Sequence, residues 1–587
     1  MKLKQILTIT IILILLITGC KIQSTDQDVI DSELPTTSVA GNVTFTDMFT
    51  NRDLDATFIQ NDAAYIQLND DSATSSSDAV SITERIITII DEGTYVISGN
   101  LNNGRIVVNA QDSDKVQLVL NNVTINSDDF APIYIINADK VFITLYEGTS
   151  NFLINNGEFI NIDDNNVDGV IFSKQDLTFN GTGTLNITSL TGNGIVGKDD
   201  VVFTGGVYNI EAAAHGIDAN NSVRITTSTF TITTGKDGIH VENDTNVNLG
   251  YFYMADGQFD ISAEGDGISA SSFMQIENGT FNIITGGGSI NAAQKTSSSW
   301  GQFQKNPRDN QNSDSSANST NDDESTSIKG IKASGDILII NGTFTIDSAD
   351  DSVHSNSSIL INDGIFDIAS GDDGFHADDT ITIINGNINI SKSYEGIEAL
   401  HILINGGNIN IKASDDGLNA AGGTDESGFN GQRGNDRFAG GNSSSSTGSI
   451  TITNGDVYIN ANGDGIDANG TLTISGGKIV VSGPTVGDTS VLDFDVSGTI
   501  TGGTFIGTGS LQMAQTFSSS TQGVIAINAG SQPANTLISI SDSNGKTILT
   551  YEADQNFALV IISDPLIIKG DTYSITVGSS TGSVTAS

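Results

Sequence analysis

Acidic residues in this chain gather just ahead of glycine. Asp350-Asp351, Asp372-Asp373 and Asp415-Asp416 are doubled acids, and Glu395-Gly396-Ile397-Glu398 places a carboxylate on each side of one glycine. Two places after the last acid of each group stands an apolar residue: Val353, Phe375, Ile397 or Leu418. With that residue as register zero, the acid two places before it recurs as Asp237, Asp266, Asp351, Asp373, Glu395, Asp416 and Asp464. One place after it come His240, His354, His376, Glu398, Asn419 and Asp467, with Asp378 and Asp379 close behind.

If such registers stack, like charges face one another, which destabilises a sheet unless something lies between them. Calcium takes six to eight oxygens at about 2.3–2.6 Å, so one ion can bridge carboxylates of successive repeats. Magnesium demands a tighter octahedron and keeps water, and zinc calls for histidine and thiolate. The histidines share a register, but no thiol joins them. The expected cofactor is therefore Ca2+, with Asp350, Asp351, Asp372, Asp373, Asp378, Glu395, Glu398, Asp415 and Asp416 as ligands. Asp before Gly is also ordinary turn chemistry, its side chain bonding local backbone. That is the reading for the single acids Asp237, Asp266 and Asp464, while His354 and His376 read as stacked turn residues. Lys392 and Lys412, just upstream of two acidic groups, are the candidate bases for β-elimination across a uronate, a reaction that pairs a cation with a base of lowered pKa.

Positioning these residues falls to a repeat. The register-zero residues are Ile195, Ile217, Ile239, Ile268, Ile290, Ile331, Val353, Phe375, Ile397, Leu418 and Ile466, and their dominant spacing is 22 residues. Segments such as Thr343-Phe344-Thr345-Ile346 and Thr380-Ile381-Thr382-Ile383 are short, alternating and β-branched, which favours strands. Asn-Gly at 341–342, 385–386, 405–406 and 454–455 marks turns where positive φ is easily adopted. Three short strands and three turns per coil describe an all-β solenoid, a parallel β-helix. A β-propeller needs about twice this repeat per blade.

The expected organisation is a lipoprotein signal over 1–20, a linker over 21–41, an N-terminal cap with the first coils over 42–155, the β-helix over 156–510, and a C-terminal β module over 511–587. Insertions are expected at about 294–327 and 422–448. Lys2, Lys4, an apolar run and Ile17-Thr18-Gly19-Cys20 resemble a bacterial lipobox, with Cys20 lipidated. The expected place is the outer face of a bacterial membrane, reached through that anchor. Cys20 is the one cysteine, so a disulfide framework is excluded. With 70 acidic against 24 basic residues and a net charge of −46, nucleic acid is a poor partner. A monomer is expected.

The runs Ala138-Asp139-Lys140-Val141-Phe142-Ile143-Thr144-Leu145, Gly371-Asp372-Asp373-Gly374, Ser391-Lys392-Ser393-Tyr394-Glu395-Gly396-Ile397-Glu398 and Ala413-Ser414-Asp415-Asp416-Gly417 resemble a bacterial family. It comprises surface-associated, carbohydrate-binding β-helix proteins that look like polysaccharide lyases. The resemblance implies a right-handed parallel β-helix with bound calcium and affinity for acidic plant polysaccharide such as polygalacturonate, with cellulose as a further ligand. It does not imply catalysis. Lys392, Tyr394 and Trp300, the single tryptophan, are the expected sugar contacts. A lyase and an adhesin-like stalk are the alternative functions. Ser352-Val353 and Gly374-Phe375 depart from the family's pattern and are expected to alter the turn.

Overall fold

The computed structural model describes residues 42–292, 327–421, 447–484 and 489–587. Cys20, the leader and linker, Trp300 and nearly all of both insertions lie outside these residues.

One coil shows why the chain winds. Ile337–Ile339, Thr343–Ser348 and Val353–Ser355 are three strands separated by short turns. Each pairs in parallel with its counterpart one coil on: Ser358–Ile361, Ile365–Ser370 and the start of Phe375–Ile383. Repetition builds three parallel ladders, and the molecule is a parallel β-helix. We number them so that the strand carrying register zero lies in the first ladder. The acidic residues then sit at the corner between third and first ladders, and Asn-Gly at the corner between second and third.

Alternation decides which side chains go inside. In Thr343–Ser348, Phe344 and Ile346 are buried while Thr343 and Thr345 are exposed. Phe230, Phe259, Phe281, Phe344 and Phe366 thereby stack in one internal column, with centroids 4.6–5.4 Å apart. Such pairs contribute about 0.5–1.5 kcal/mol each beyond their buried area.

One register assignment is corrected. Ile268 pairs directly with Ile331, and Ile290 is 85% exposed in a 3-10 turn over Ser289–Asn291. Gly286, Gly287 and Gly288 all have positive φ. That backbone leads the chain out of the third ladder before another coil can form. The excursion therefore starts about eight residues before the expected 294.

Ser352 leaves the corner unchanged. Its N–H bonds Asp373 O at 3.0 Å, as Gly330 N–H bonds Asp351 O at 2.9 Å. Its hydroxyl, in the interior, meets Ser348 at 2.9 Å.

Both ends are covered. At the start, Ala64–Asp70 pairs in parallel with Gly93–Asn102, while the segment before it runs along the outside of the second ladder. Gln275 donates to Val43 O at 2.8 Å, Arg224 to Met48 O at 2.9 Å, and Thr178 to Asp53 at 2.6 Å. At the finish, Thr504–Gly509 pairs antiparallel with Phe557–Ser563, which also pairs with Val524–Gln532. A four-stranded antiparallel sheet joins them over a shared apolar cluster. An unpaired last coil would be a template for association.

Candidate functional site

Stacking turns the corner acids into columns about 4.8 Å apart. Backbone closes the corner: Gly374, Gly396 and Gly417 donate to Glu395 O, Asp416 O and Asp464 O, at 3.1, 2.9 and 2.9 Å. A side chain at Gly396 would place Cβ 2.3 Å from Gly417 O, so coils can stack this closely only without one.

Most corner acids share one use. Asp237 accepts the N–H of Asp266 at 2.8 Å, Asp266 that of Lys329 at 2.7 Å, Asp351 that of Asp373 at 2.9 Å, and Asp373 that of Glu395 at 3.3 Å. Asp416 accepts from Asp464, and Asp464 from Ser490. Turn chemistry is thus common to the single and the doubled acids. What separates them is the partner of the second oxygen.

Toward the N-terminal end that partner is a cation. His215 and His240 stack 4.6 Å apart and both approach Asp237, at 3.5 and 2.9 Å. Burial and His240 push His215 down to about 4. Burial opposes the charge on His240, yet Asp237 and Glu242 lift it to about 9. Lys329, nearly buried, bonds Asp350 at 2.8 Å and Asp351 at 3.1 Å. Burial alone would raise Asp351, but Lys329 and His354 hold it well below the usual carboxylate range. His354 and His376 are parallel, 4.8 Å apart. His376 meets Asp373 at 3.2 Å and Glu398 at 3.1 Å, with Asp378 at 3.5 Å from its other nitrogen. Those three acids hold it charged against burial.

Among the described residues no lysine or histidine pairs with Glu395, Asp416, Asp464 or Asp467. Burial, then the neighbouring acids, pushes Asp373, Glu395 and Asp416 well above their ordinary range. Asp464 and Asp467 are pushed up to about 7, chiefly by burial. Glu395 accepts from Asn419 at 2.8 Å, while the buried Asn419 Oδ1 has no hydrogen-bond partner among the described residues. This end is a concentration of hard oxygen donors with little positive charge, a donor set that fits calcium rather than a thiophilic metal.

The expected ligands therefore do converge, in two groups. Carboxylate oxygens of Asp350, Asp351 and Asp372 lie within 4.8 Å of one another, as do ligand atoms of Asp373, His376 and Glu398. Asp415 and Asp416 follow on the next coil. Asp378 and Asp379 sit where Phe375–Ile383 bulges between the first and second ladders, and a bulge re-aims side chains. Lys392, in a bulge of the third ladder, turns its ammonium to Ser289 O, and Lys412 is exposed. Tyr394 is half-buried, with its N–H on Asp372 O at 2.7 Å. Lys329, Lys332 and His215 belong to the same columns and escaped the reading of the sequence. Counting each register whatever its charge would have found them.

The family described as carbohydrate-binding domain-containing protein matches residues 83–374 and 373–548. The chain belongs to that family. A carbohydrate-binding domain-containing protein of Acetivibrio thermocellus is 36% identical over 146 residues, 24% of this chain and 51% of the relative. The chain thus spans about half the length of that curated relative. A solved structure, the gadolinium derivative of the polysaccharide lyase-like protein from C. thermocellum, is 33% identical. It is matched over 38% of this chain and 92% of its own, with a TM-score of 0.37.

Proposed function

We propose that this protein binds an acidic polysaccharide of the polygalacturonate kind, through calcium held on the acidic column, at the outer face of a bacterial membrane. The observation that supports it is the run Glu395, Asp416, Asp464 and Asp467, which no lysine or histidine neutralises among the described residues, with the Asn419 oxygen beside Glu395. Lys329 already neutralises Asp350 and Asp351, so the ions belong past His376 rather than across the whole column. A bound calcium supplies the positive charge that lets a negative protein attract a uronate carboxylate. The Cys20 lipid anchor, read from the lipobox, holds the solenoid at the surface.

The test is native electrophoresis through a gel containing polygalacturonate, run with calcium and with chelator, then stained for polymer. Retardation with calcium alone, and a uniformly stained gel, is the expected result. Retardation unchanged by chelator would overturn the calcium mechanism. A cleared track would mean polymer cleavage and a lyase. Lys392→Ala would then be the first variant, with loss of clearing expected only if that ammonium leaves Ser289 O to serve as the base.

A further inference from the structure

At the N-terminal end of the acidic corner the donors change character. His215 and Asp237 share a register on neighbouring coils, and His240 stands three residues after Asp237. Ligand atoms of these three residues all lie within 4.8 Å of one another. Their side chains are 14–23% exposed, so the cluster is sheltered yet reachable from solvent.

Hydrogen bonds decide which atoms converge. His215 Nδ1 accepts the Asp237 N–H at 3.3 Å, which puts a lone pair on that nitrogen, and it stands 3.5 Å from Asp237 Oδ2. His240 Nδ1 is 2.9 Å from the same oxygen. The other nitrogen of His240 meets Glu242 at 3.1 Å, the kind of partner that a metal-binding imidazole keeps for its remaining N–H. Asp237 Oδ1 accepts the N–H of Asp266 at 2.8 Å, which leaves Oδ2 for the two rings. His240 and the carboxylate are thus oriented by contacts on their far sides.

Those separations suit one small ion. Zinc binds nitrogen and carboxylate oxygen at about 2.0–2.2 Å, so its ligand atoms in a tetrahedron lie roughly 3.3–3.5 Å apart. The 2.9 and 3.5 Å found here differ from that by small shifts only. Calcium prefers an oxygen shell, whereas two imidazoles and a carboxylate suit a borderline metal such as zinc. The similar set Asp351, His354 and His376 does not qualify, because the Lys329 ammonium lies 3.1 Å from Asp351 and already supplies its positive charge.

We propose that His215, Asp237 and His240 form a zinc site, distinct from the calcium column, that ties the coil of Ile217 to the coil of Ile239. Zinc takes both Nδ1 lone pairs and Asp237 Oδ2. His215 exchanges its long bond from the Asp237 N–H for the ion, and the proton between His240 and Asp237 leaves to solvent. Three protein ligands leave the fourth position open to water. Glu242 is a positioning residue, since it acts through His240. None of this depends on carbohydrate binding.

Zinc titration calorimetry on the full, untagged chain, in excess calcium, tests it. Wild type is expected to bind one equivalent of zinc that calcium does not displace. His215→Gln and His240→Gln are each expected to lose at least about tenfold in affinity, and Glu242→Gln about tenfold, the scale of an outer hydrogen bond to a metal ligand. Glu242 is 54% exposed, so that variant keeps the fold even where a histidine variant loosens the corner. Zinc should also raise protection from hydrogen exchange at Ile217–Ala219 and Ile239–Val241 in wild type. A wild type that takes up no zinc overturns the inference. So does zinc that calcium displaces, which would place it on the acidic column. Affinity unchanged in Glu242→Gln, or in either histidine variant, overturns it too.

Discussion

Lys329→Met is expected to destabilise the coils around Val353 by about 3–5 kcal/mol in chelator, the usual cost of removing one partner from a buried ion pair. Lys329 is 7% exposed and Asp351 is fully buried, 3.1 Å away. Its loss takes from Asp350 and Asp351 the ammonium they share. The effect should be local, because a solenoid's stability is roughly a sum over neighbouring coils. Hydrogen exchange at Ile331–Ala333 and Val353–Ser355 is the measurement. Protection there should collapse while that of Thr184–Ser189 is unchanged. Equal protection in variant and wild type would show that Lys329 does not supply the charge balance assigned to it.

The opposite sign is expected past His376. Glu395→Gln with Asp416→Asn should stabilise the calcium-free protein, since both acids are pushed upward by burial and by each other's neighbourhood. It should also lower calcium affinity at least about tenfold, the scale on which even indirect ligand partners act. Calcium should then raise the melting midpoint of wild type far more than that of the variant. The pH dependence follows from the same groups. An acid whose folded pKa lies above its unfolded value holds more protons when folded, so stability falls as pH rises between the two. For Asp464 and Asp467 that window runs from the ordinary carboxylate value of about 4 up to about 7. Calcium-free wild type should lose midpoint steadily across it, and calcium should abolish the slope. A flat profile without calcium would mean that these carboxylates are not confined as described.

The repeat was legible because its physical basis is local. A spacing of 22 residues, β-branched alternation and Asn-Gly corners each follow from backbone geometry, and together they admit little besides a β-helix. The −2 and +1 registers were legible for the same reason, since stacking makes equal positions neighbours. Ile290 shows where this reasoning fails: it has the right residue at the right spacing, but three preceding glycines adopt positive φ and carry it out of the coil. At Asn-Gly 405–406 the positive φ falls on Gly407 instead, a shift that pattern alone does not fix.

The sequence by itself determined the strand period, the inward apolar columns and which acids would share a corner. Only the tertiary structure decided which of those acids keep a cation. Whether a carboxylate is neutralised depends on a lysine or histidine one coil away reaching across the stack, as Lys329 reaches Asp350 and Asp351, and as His376 reaches Glu398. Side-chain direction and burial set that reach, and neither is a property of sequence spacing.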